Sequence, residues 1–447
     1  MRVLVHIALR NLFQARRRTA LLGSAIALVS ASLILLLSIA HGIEDSLVTS
    51  ATTLSAGHVN VGGFYKTTAT DAAPLITDKA KLRQIVMDNV PGVEGIIERH
   101  RGWGKVLSPF GTIQSGLQGV DISTEKRFLE RIQLAKESDY VEGGRDEVVG
   151  DPSKLAQPRT VMMFAANARK LGVRVGDEVT IQIELLGGAT NTLDATLVAV
   201  ARDVGMLSSF AVLLPTQDVL ELYRIRPETT GALWVYLDDI DRAEAVRADL
   251  AKVFEAEGYR VMDHVAAPFF FKFDTVMGED WTGQSIDLTT WEDEVSFLTW
   301  VLTAFNAVSW SLVTVLVGII AVGIMNTLYT SVRERTREIG TMRAIGMTRW
   351  QVLGLVLLEA GLLGLGATAL GTVAGAAIAT GIDLLNLPVP ILAVQAILLA
   401  DTLHLKVVPS NLVAGVVALS TFTALAALWP AWQAASMRPV SAMSHIE

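Results

Sequence analysis

The sequence predicts a membrane α-helical protein with four transmembrane helices and a large α+β periplasmic domain inserted between helices 1 and 2. First, the 447 residues have a mean hydropathy of +0.43 and only 18% are charged, below the quarter usual in soluble proteins. Second, apolar residues concentrate near the N-terminus and in the last third. Third, the long stretch between them has an ordinary soluble composition and a strongly acidic balance.

Four uncharged segments are long enough to cross a bilayer core of about 30 Å as helices. They are Leu21–Ala40, Val295–Val332, Ala360–Ile382 and Leu412–Ala435. The second is longer than a span needs, so we expect its surplus to continue out of the membrane as a stalk. The first has spanning length and no clean small-x-small cleavage site after it, so we expect a span and not a cleavable signal peptide.

The distribution of charge predicts the orientation of these spans. Residues 44–296 contain 25 Lys/Arg and 39 Asp/Glu, a net charge of −14, whereas the remaining segments have a net charge of +6. Most basic residues outside the acidic stretch lie in the N-terminal segment, between spans two and three, and at Arg438. An even number of spans puts these places on one side, and the positive-inside rule makes that side the cytoplasm.

The acidic stretch shows both strand and helix patterns. Glu178–Leu185 and Asn191–Ala199 alternate around Gly187-Gly188, which predicts a tight β-hairpin. Leu233–Leu237 is a further short strand, and the Ala/Glu/Arg-rich Arg242–Glu257 predicts a helix after it. The stretch is therefore expected to fold as an α+β domain.

The residues that usually carry catalysis or bind metals do not form a recognisable group. The sequence has no cysteine, and its seven histidines are scattered without an H-E-x-x-H motif. We interpret acidic runs such as Glu292-Asp293-Glu294 as solvated faces. We therefore expect no catalytic residue, no metal site and no cofactor bound by this chain.

An aromatic segment, Pro268–Phe273, precedes the second span and is followed by Trp281 and Trp291. One interpretation is a hydrophobic core strand with interfacial aromatics near the bilayer surface. The other is an apolar contact surface for a lipidic or amphipathic substrate, formed by Phe269, Phe270, Phe271 and Trp281.

The third span contains small residues and one flanking acid. Gly371 and Gly375 form a G-x-x-x-G pattern that permits close helix packing, either within the chain or at a dimer interface. Glu359 lies at the edge of the span. We expect it to pair with a nearby arginine as a structural group and not to carry protons or ions.

The link between spans two and three carries the most specific pattern. It reads G-I-M-N-T-L at Gly323–Leu328, S-V-R-E-R-T-R-E-I-G at Ser331–Gly340 and R-A-I-G-M at Arg343–Met347. This order resembles the FtsX-like permease family, which includes MacB-type exporters and lipoprotein-releasing Lol-type permeases. Gly57-His58-Val59 and the segment from Trp429 to Met443 also resemble parts of that family.

The resemblance implies a transmembrane permease subunit of an ATP-driven mechanotransmission ABC transporter in the bacterial inner membrane. Its substrate would be lipidated or amphipathic, such as an outer-membrane lipoprotein, exported or extracted at the periplasmic side. Implied partners are a cytoplasmic ABC ATPase in two copies, a second permease copy in a homo- or heterodimer, a periplasmic carrier, adaptor or lipoprotein, and membrane lipid, but no nucleic acid. The sequence has no G-x-x-x-x-G-K-[ST], so ATP and Mg are expected on the partner ATPase and no enzyme activity is expected here.

In the family, the link forms a coupling helix that seats in a groove of the ATPase. The resemblance assigns this contact to Arg337, Glu338, Ile339, Met342, Arg343, Ile345 and Gly346. From the residues alone, anchoring of the link to anionic lipid is an equally good interpretation.

The combined prediction divides the chain into consecutive parts. These are a cytoplasmic amphipathic N-terminal helix at 1–18, transmembrane helix 1 at 19–43, the periplasmic α+β domain at 44–295, a stalk and transmembrane helix 2 at 296–332, the cytoplasmic coupling helix at 333–349, transmembrane helix 3 at 350–382, a periplasmic loop at 383–410, transmembrane helix 4 at 411–436 and a cytoplasmic tail at 437–447.

A second function remains open: an FtsX-like transmembrane regulator that activates a periplasmic partner, such as a cell-wall hydrolase, without transport. The short connection Leu185–Thr190 departs from the Lol-type pattern, in which a longer hook recruits a carrier, and the coupling region fits the MacB-type spacing better. The absence of a catalytic cluster disfavours a membrane-anchored enzyme, and the number of spans disfavours a Bce-type resistance sensor.

Overall fold

The computed structural model describes residues 2–14, 16–68, 71–185, 188–204, 208, 211–389 and 402–437. It divides into two compact units. The helical unit comprises Met1–Asp45, Leu302–Pro388 and Thr402–Glu447, and the β unit comprises Ser46–Val301 and Val389–Asp401. Four predicted features fall partly outside the described residues: positions 1 and 15 of the N-terminal helix, positions 186–187 of the hairpin, positions 390–401 before the fourth span, and the tail from position 438.

The regular elements are numbered in chain order. The helices are α1 (Arg2–Gln14), α2 (Arg16–Leu54), α3 (Lys79–Asn89), α4 (Lys126–Arg131), α5 (Glu137–Tyr140), α6 (Ala165–Leu171), α7 (Thr216–Tyr223), α8 (Ala243–Ala256), α9 (Phe273–Gly278), α10 (Trp291–Glu294), α11 (Thr299–Glu334), α12 (Thr336–Ala344), α13 (Arg349–Leu384), α14 (Pro409–Ala426) and α15 (Leu428–Ser436). The strands are β1 (Val59–Thr68), β2 (Asp71–Ala73), β3 (Val93–Leu107), β4 (Thr112–Val120), β5 (Thr160–Phe164), β6 (Glu178–Glu184), β7 (Thr190–Ala201), β8 (Ala211–Pro215), β9 (Ala232–Leu237) and β10 (Gly283–Thr290).

The long apolar helices match the predicted spans. Within the described residues, the helical stretches long and apolar enough to cross a membrane are Thr19–Leu54, Thr303–Glu334, Arg349–Leu384 and Pro409–Ser436. Each overlaps one predicted span. All have at least 28 residues, more than the roughly 20 that a bilayer core requires.

Small residues let α2 and α13 pack closely in the helical unit. A Cβ atom added at Gly371 would lie 2.1 Å from the Ala27 carbonyl oxygen, and one at Gly375 would lie 2.7 Å from that of Ala31. Next to them, the Ser30 hydroxyl donates to the Thr368 carbonyl at 3.0 Å. Both glycines thus serve packing within the chain, which corrects the alternative that they face a second subunit.

The β unit is built around its longest strand, β3. The strands pair in the order β10-β1-β9-β3-β4-β8-β5-β7-β6, and β6 also pairs back with β3. The strands from β3 to β6 therefore close into a ring around an apolar core that includes Leu117, Ile181, Leu197 and Val212. The first half of β3 pairs with β9, where residues of α3 and α8 cover the sheet.

The local predictions for this unit are confirmed. Strands β6 and β7 pair as an antiparallel hairpin with Glu184 opposite Thr190. The predicted strand at 233–237 is β9, and the helix after it is α8. Gly258 follows α8 at φ +85, a left-handed conformation that glycine adopts without steric cost.

Candidate functional site

The helix α12 lies in the link between two long helices, α11 and α13. Arg335, with φ −103 and ψ 16, interrupts the helical path between α11 and α12. After α12, Gly346 adopts φ +114, and the Thr348 side chain caps α13 by accepting from the Gln351 N–H. A glycine in this conformation and a capping box together define where α12 ends and where α13 begins.

One face of α12 is anchored within the helical unit. Ile339 is 6% exposed and packs with Val332 and Val352. The Arg343 guanidinium donates to the Ala435 carbonyl at 3.2 Å. These side chains hold α12 in place. We therefore reassign Ile339 from an ATPase contact to a positioning residue, and Arg343 has a structural role that the sequence did not reveal.

The opposite face of α12 and the turn after it are exposed. Arg337 and Glu338 are exposed, and Ile345 is 83% exposed. Met342 is half-buried against the same cluster as Ile339, and Gly346 is exposed. The structure thus leaves a charged and apolar surface of α12 accessible. Contact of that surface with an ATPase stays a prediction.

The break between α11 and α12 is also where three helices are joined. The Arg335 guanidinium donates to Glu359 Oε1 of α13 at 3.2 Å and to the Asn11 carbonyl of α1 at 3.4 Å. Arg335 is therefore the arginine partner expected for Glu359. The two side chains are only 19% and 11% exposed, so their attraction is less screened than that of a surface pair. Arg335 therefore links the start of α12 to both α1 and α13.

In the β unit, the aromatic segment Phe269–Lys272 forms a 3-10 turn. The predicted core strand is therefore wrong. The Lys272 ammonium donates to both carboxylate oxygens of Asp287 on β10, at 2.8 and 3.0 Å. The Phe269 N–H donates to Glu294 Oε2 at 3.3 Å. Fixed at both ends, the turn leaves Phe270 and Phe271 43% and 59% exposed.

Trp281 does not join this exposed aromatic surface. It is 6% exposed and packs with Phe64 and Val276. The Lys66 ammonium lies 5.1 Å from the centre of its ring, and the Arg260 guanidinium lies 5.2 Å from it. The prediction of Trp281 as a substrate contact is therefore wrong, because these cations and apolar neighbours cover the indole.

No sequence pattern singled out two arginines of β3, Arg99 and Arg101, of which Arg101 contacts the turn. Arg99 stacks on Trp234 at 4.3 Å and forms an ion pair with Glu125, a buried residue of the loop before α4. Arg101 stacks on Phe269 at 4.3 Å and lies 3.9 Å from Glu294. Successive side chains of a strand alternate between faces, so both arginines lie on the same face of the sheet.

The acidic run before the second span is only partly a solvated face, because Glu292 is exposed whereas Asp293 and Glu294 are buried, which corrects the interpretation for those two residues. Asp293 and Glu294 are 6% and 5% exposed. Asp293 accepts from the Thr290 N–H at 2.8 Å, and Glu294 accepts from the Thr289 hydroxyl at 2.8 Å. Burial raises the pKa of Glu294 above its ordinary value.

Two cavities open beside the turn, with volumes of about 840 and 270 Å³. Both are lined by Arg101, Gly102, Trp103 and the phenylalanines of the turn. A Cβ atom at Gly102 would lie 2.2 Å from the Tyr223 hydroxyl oxygen, so only glycine lets β3 approach this closely. The larger cavity has a volume typical of small-ligand sites, roughly 300–1,000 Å³. Within the described residues, no cluster of His, Cys, Asp or Glu is suited to hold a metal.

Two family profiles match the chain. The MacB-like periplasmic core domain matches residues 19–253, and the FtsX-like permease C-terminal domain matches residues 310–439. A macrolide export ATP-binding/permease protein MacB of Nitrobacter winogradskyi is 25% identical over 432 residues, covering 96% of this chain and 58% of the relative. The ABC transporter permease YtrF of Bacillus subtilis is 26% identical over 277 residues, covering 59% of this chain and 54% of the relative.

Solved structures of related regions superpose only weakly. The periplasmic region of MacB from Actinobacillus actinomycetemcomitans has a TM-score of 0.31 at 11% identity, covering 55% of this chain and 94% of that one. The extracellular domain of the transporter YknZ has a TM-score of 0.29 at 13% identity, covering 44% of this chain and 95% of that one. The chain spans little more than half the length of the curated relatives named above. Because the MacB-like periplasmic core profile alone covers more than half of the sequence, the chain belongs to the family of proteins with this core domain, and it also carries an FtsX-like permease C-terminal domain.

Proposed function

We propose that the chain is the membrane subunit of an ATP-driven transporter that acts on a lipidated or amphipathic substrate at the periplasmic side of the inner membrane. A separate ABC ATPase binds the exposed surface around α12 and drives the transporter. The observation that carries this proposal is the arrangement of α12, which is anchored to the helical unit through Ile339 and Arg343 while it exposes Arg337, Glu338 and Ile345.

The names of the relatives support an ATPase as the partner. The Nitrobacter relative is named for both ATP binding and permease function, and the Bacillus relative is named as an ABC transporter permease. The sequence of this chain contains no P-loop motif. In the proposal, ATP and Mg bind the ATPase, and this chain uses the movement of the ATPase to act on the substrate.

We propose that the work is transmitted mechanically. Arg335 joins the start of α12 to α1 and α13, so a movement of α12 would be transmitted to both of these helices. The central parts of the spans carry no charged residue. A proton or ion pathway would need ionisable groups there, so mechanical transmission suits this sequence better.

On the periplasmic side, we propose that the turn Phe269–Lys272 receives the apolar part of the substrate. Phe270 and Phe271 are exposed although the turn itself is fixed by Lys272 and Asp287. Exposed aromatic side chains on a rigid support lose little conformational entropy on binding, which favours a recognition role.

The coupling proposal is tested with Ile345→Asp in the complex of the full chain and the ABC ATPase encoded beside it. The chain should insert and fold as before because Ile345 is 83% exposed. Association with the ATPase should weaken by about tenfold or more, since a charge would enter the centre of an apolar contact. Co-purification and the ATPase rate of the reconstituted complex measure the effect.

Two variants serve as controls for this test. Ile345→Leu keeps an apolar side chain of similar size and should retain association. Phe110→Asp changes a residue of the β unit that is 80% exposed, and it should leave both readouts unchanged. If Ile345→Asp copurifies with the ATPase and supports the same turnover as the wild type, the assignment of α12 as the coupling element is wrong.

A further inference from the structure

We infer that the larger cavity beside the aromatic turn, of about 840 Å³, binds the anionic head group of an amphiphile, with Arg101 as its counter-ion. This inference rests on the proposed role of the Phe269–Lys272 turn in substrate contact, and it adds the charge of the substrate. Arg101 belongs to the walls of both cavities, together with Trp103 and the phenylalanines of the turn.

The first argument is the incomplete pairing of Arg101. Its side chain is 7% exposed, and its Nη2 has no hydrogen-bond partner among the described residues. The nearest carboxylate, Glu294, lies 3.9 Å away and already accepts from Thr289 and Phe269. A buried charged donor without an acceptor is costly. An oxyanion in the cavity would supply the missing acceptor.

The second argument is the charge of the larger cavity. Among the described residues, Arg101 and Arg224 provide its cationic lining and Glu184 its carboxylate. His100 also lines it, but burial lowers the pKa of His100 to about 4, so its imidazole is neutral near pH 7. The lining therefore has a positive balance, which attracts an anion and disfavours a cation.

The third argument is the chemistry of the remaining walls. Trp103, Phe270 and Phe271 are 45%, 43% and 59% exposed, and they line both cavities together with Arg101. A guanidinium presents paired N–H donors that match the two oxygens of a carboxylate or phosphate. Aromatic walls beside it would cover a hydrocarbon tail. The ligand class is thus an amphiphile with an anionic oxygen head group.

The test measures binding of short, soluble probes to the full chain in nanodiscs of zwitterionic lipid, with empty nanodiscs as the background. The probes share one tail and differ in the head group: octyl phosphate, octanoate, octyl glucoside and octyltrimethylammonium. Isothermal titration should give about tenfold tighter binding for octyl phosphate and octanoate than for octyl glucoside, as expected for one charge-assisted contact. The cationic probe should bind most weakly.

Variants separate the head-group contact from the tail contact. Arg101→Gln combined with Glu294→Gln removes both charges and leaves no unpaired ion, so it should fold and lose the preference for anionic probes. Phe271→Ala should weaken all four probes by a similar factor and keep the preference. Arg131→Gln, at an exposed arginine outside both cavities, should change neither.

The inference is overturned if octyl glucoside or the cationic probe binds as tightly as octyl phosphate. It is also overturned if the doubly neutral variant keeps the anionic preference. Because no ATPase is present, this result is independent of coupling through α12. Loss of the head-group preference would leave the proposed transporter standing, and loss of ATPase association by itself would leave the anion site standing.

Discussion

The ion pair between Arg335 and Glu359 shows how much depends on single side chains in the helical unit. The pair lies at the break before α12, and Arg335 also reaches the Asn11 carbonyl. Its members lie 24 positions apart in the chain, yet the sequence alone indicated that Glu359 needs an arginine. It did not indicate which of the neighbouring arginines, because five of them follow one another between positions 333 and 349.

We predict that Glu359→Gln reduces both stability and coupling. Arg335 would keep a polar neighbour but lose its counter-ion, which should lower the free energy of unfolding by roughly 2 kcal/mol after allowance for partial exposure. The change in ATPase rate that this chain causes in the reconstituted complex should become smaller. Thermal unfolding in detergent and the ATPase rate measure the two effects.

The double variant Arg335→Gln with Glu359→Gln is the control for this prediction. It removes both charges and should recover most of the lost stability, because neither side chain is then left as an uncompensated ion. If the single variant unfolds at the same temperature as the wild type, the pair does not hold these helices together.

His100 provides a pH-dependent prediction for the β unit. Burial lowers the pKa of His100 to about 4, from an ordinary value of 6.5, and its Nε2 lies 3.1 Å from the Thr229 carbonyl. Between pH 6.5 and 4 the unfolded chain binds a proton that the folded chain does not bind. Stability from His100 is therefore present above pH 6.5 and is lost as the pH falls toward 4, by at most roughly 3 kcal/mol.

The variant His100→Gln tests this pH dependence, because Gln can still donate to the Thr229 carbonyl but does not titrate. Denaturant unfolding of the full chain at several values between pH 7.5 and 4.5 gives the comparison. The free energy of unfolding of the wild type, relative to that of the variant, should decrease as the pH falls. A difference that stays constant over this range would show that His100 is not held neutral.

Helix packing was easier to predict than strand pairing. The uncharged runs and the small residues at 371 and 375 indicated a closely packed third span, and α13 has that form. The choice between an internal and an external partner for these glycines could not be made from the sequence, because a G-x-x-x-G pattern serves both. The carbonyls of Ala27 and Ala31 on α2 decide it.

We predict that Gly371→Ala separates α2 from α13. The new Cβ atom would lie 2.1 Å from the Ala27 carbonyl oxygen, so the backbones must move apart, at a cost of about 1–3 kcal/mol. Gly366→Ala is a matched control on the same helix, since its Cβ would meet no atom within 4 Å. The control should be neutral or slightly stabilising, because alanine favours helix. Thermal unfolding, monitored by circular dichroism, measures both variants. Equal unfolding temperatures would contradict the close packing of α2 and α13.

Strand β3 explains why Arg101 escaped prediction as part of the site in the β unit. No local pattern distinguishes its charged run Glu98-Arg99-His100-Arg101 from a solvated segment, since such residues are rarely buried. In the structure, this is where the pairing of β3 with β9 ends and its pairing with β4, within the closed ring, begins. Long-range pairing of this kind determines which charges are buried, and no local pattern reports it.

For the molecule as a whole, the charge distribution predicts opposite sides for the β unit and for α12. The sequence contains no cysteine, so a single substitution creates a unique thiol. Phe110→Cys in the β unit should react with a membrane-impermeant maleimide in intact spheroplasts. Ile345→Cys should react only after permeabilisation. Labelling of Ile345→Cys in intact spheroplasts would contradict the proposed orientation.

The central claim is that the surface around α12 meets the ATPase, and site-specific cross-linking tests it most directly. Ile345→Cys, modified with a photoreactive maleimide in the assembled complex, should give one cross-linked product that contains this chain and the ATPase. Phe110→Cys, treated in the same way, should not cross-link to the ATPase. If Ile345→Cys yields no ATPase adduct although its thiol is fully labelled and the complex is intact, the ATPase binds elsewhere and the coupling role of α12 is wrong.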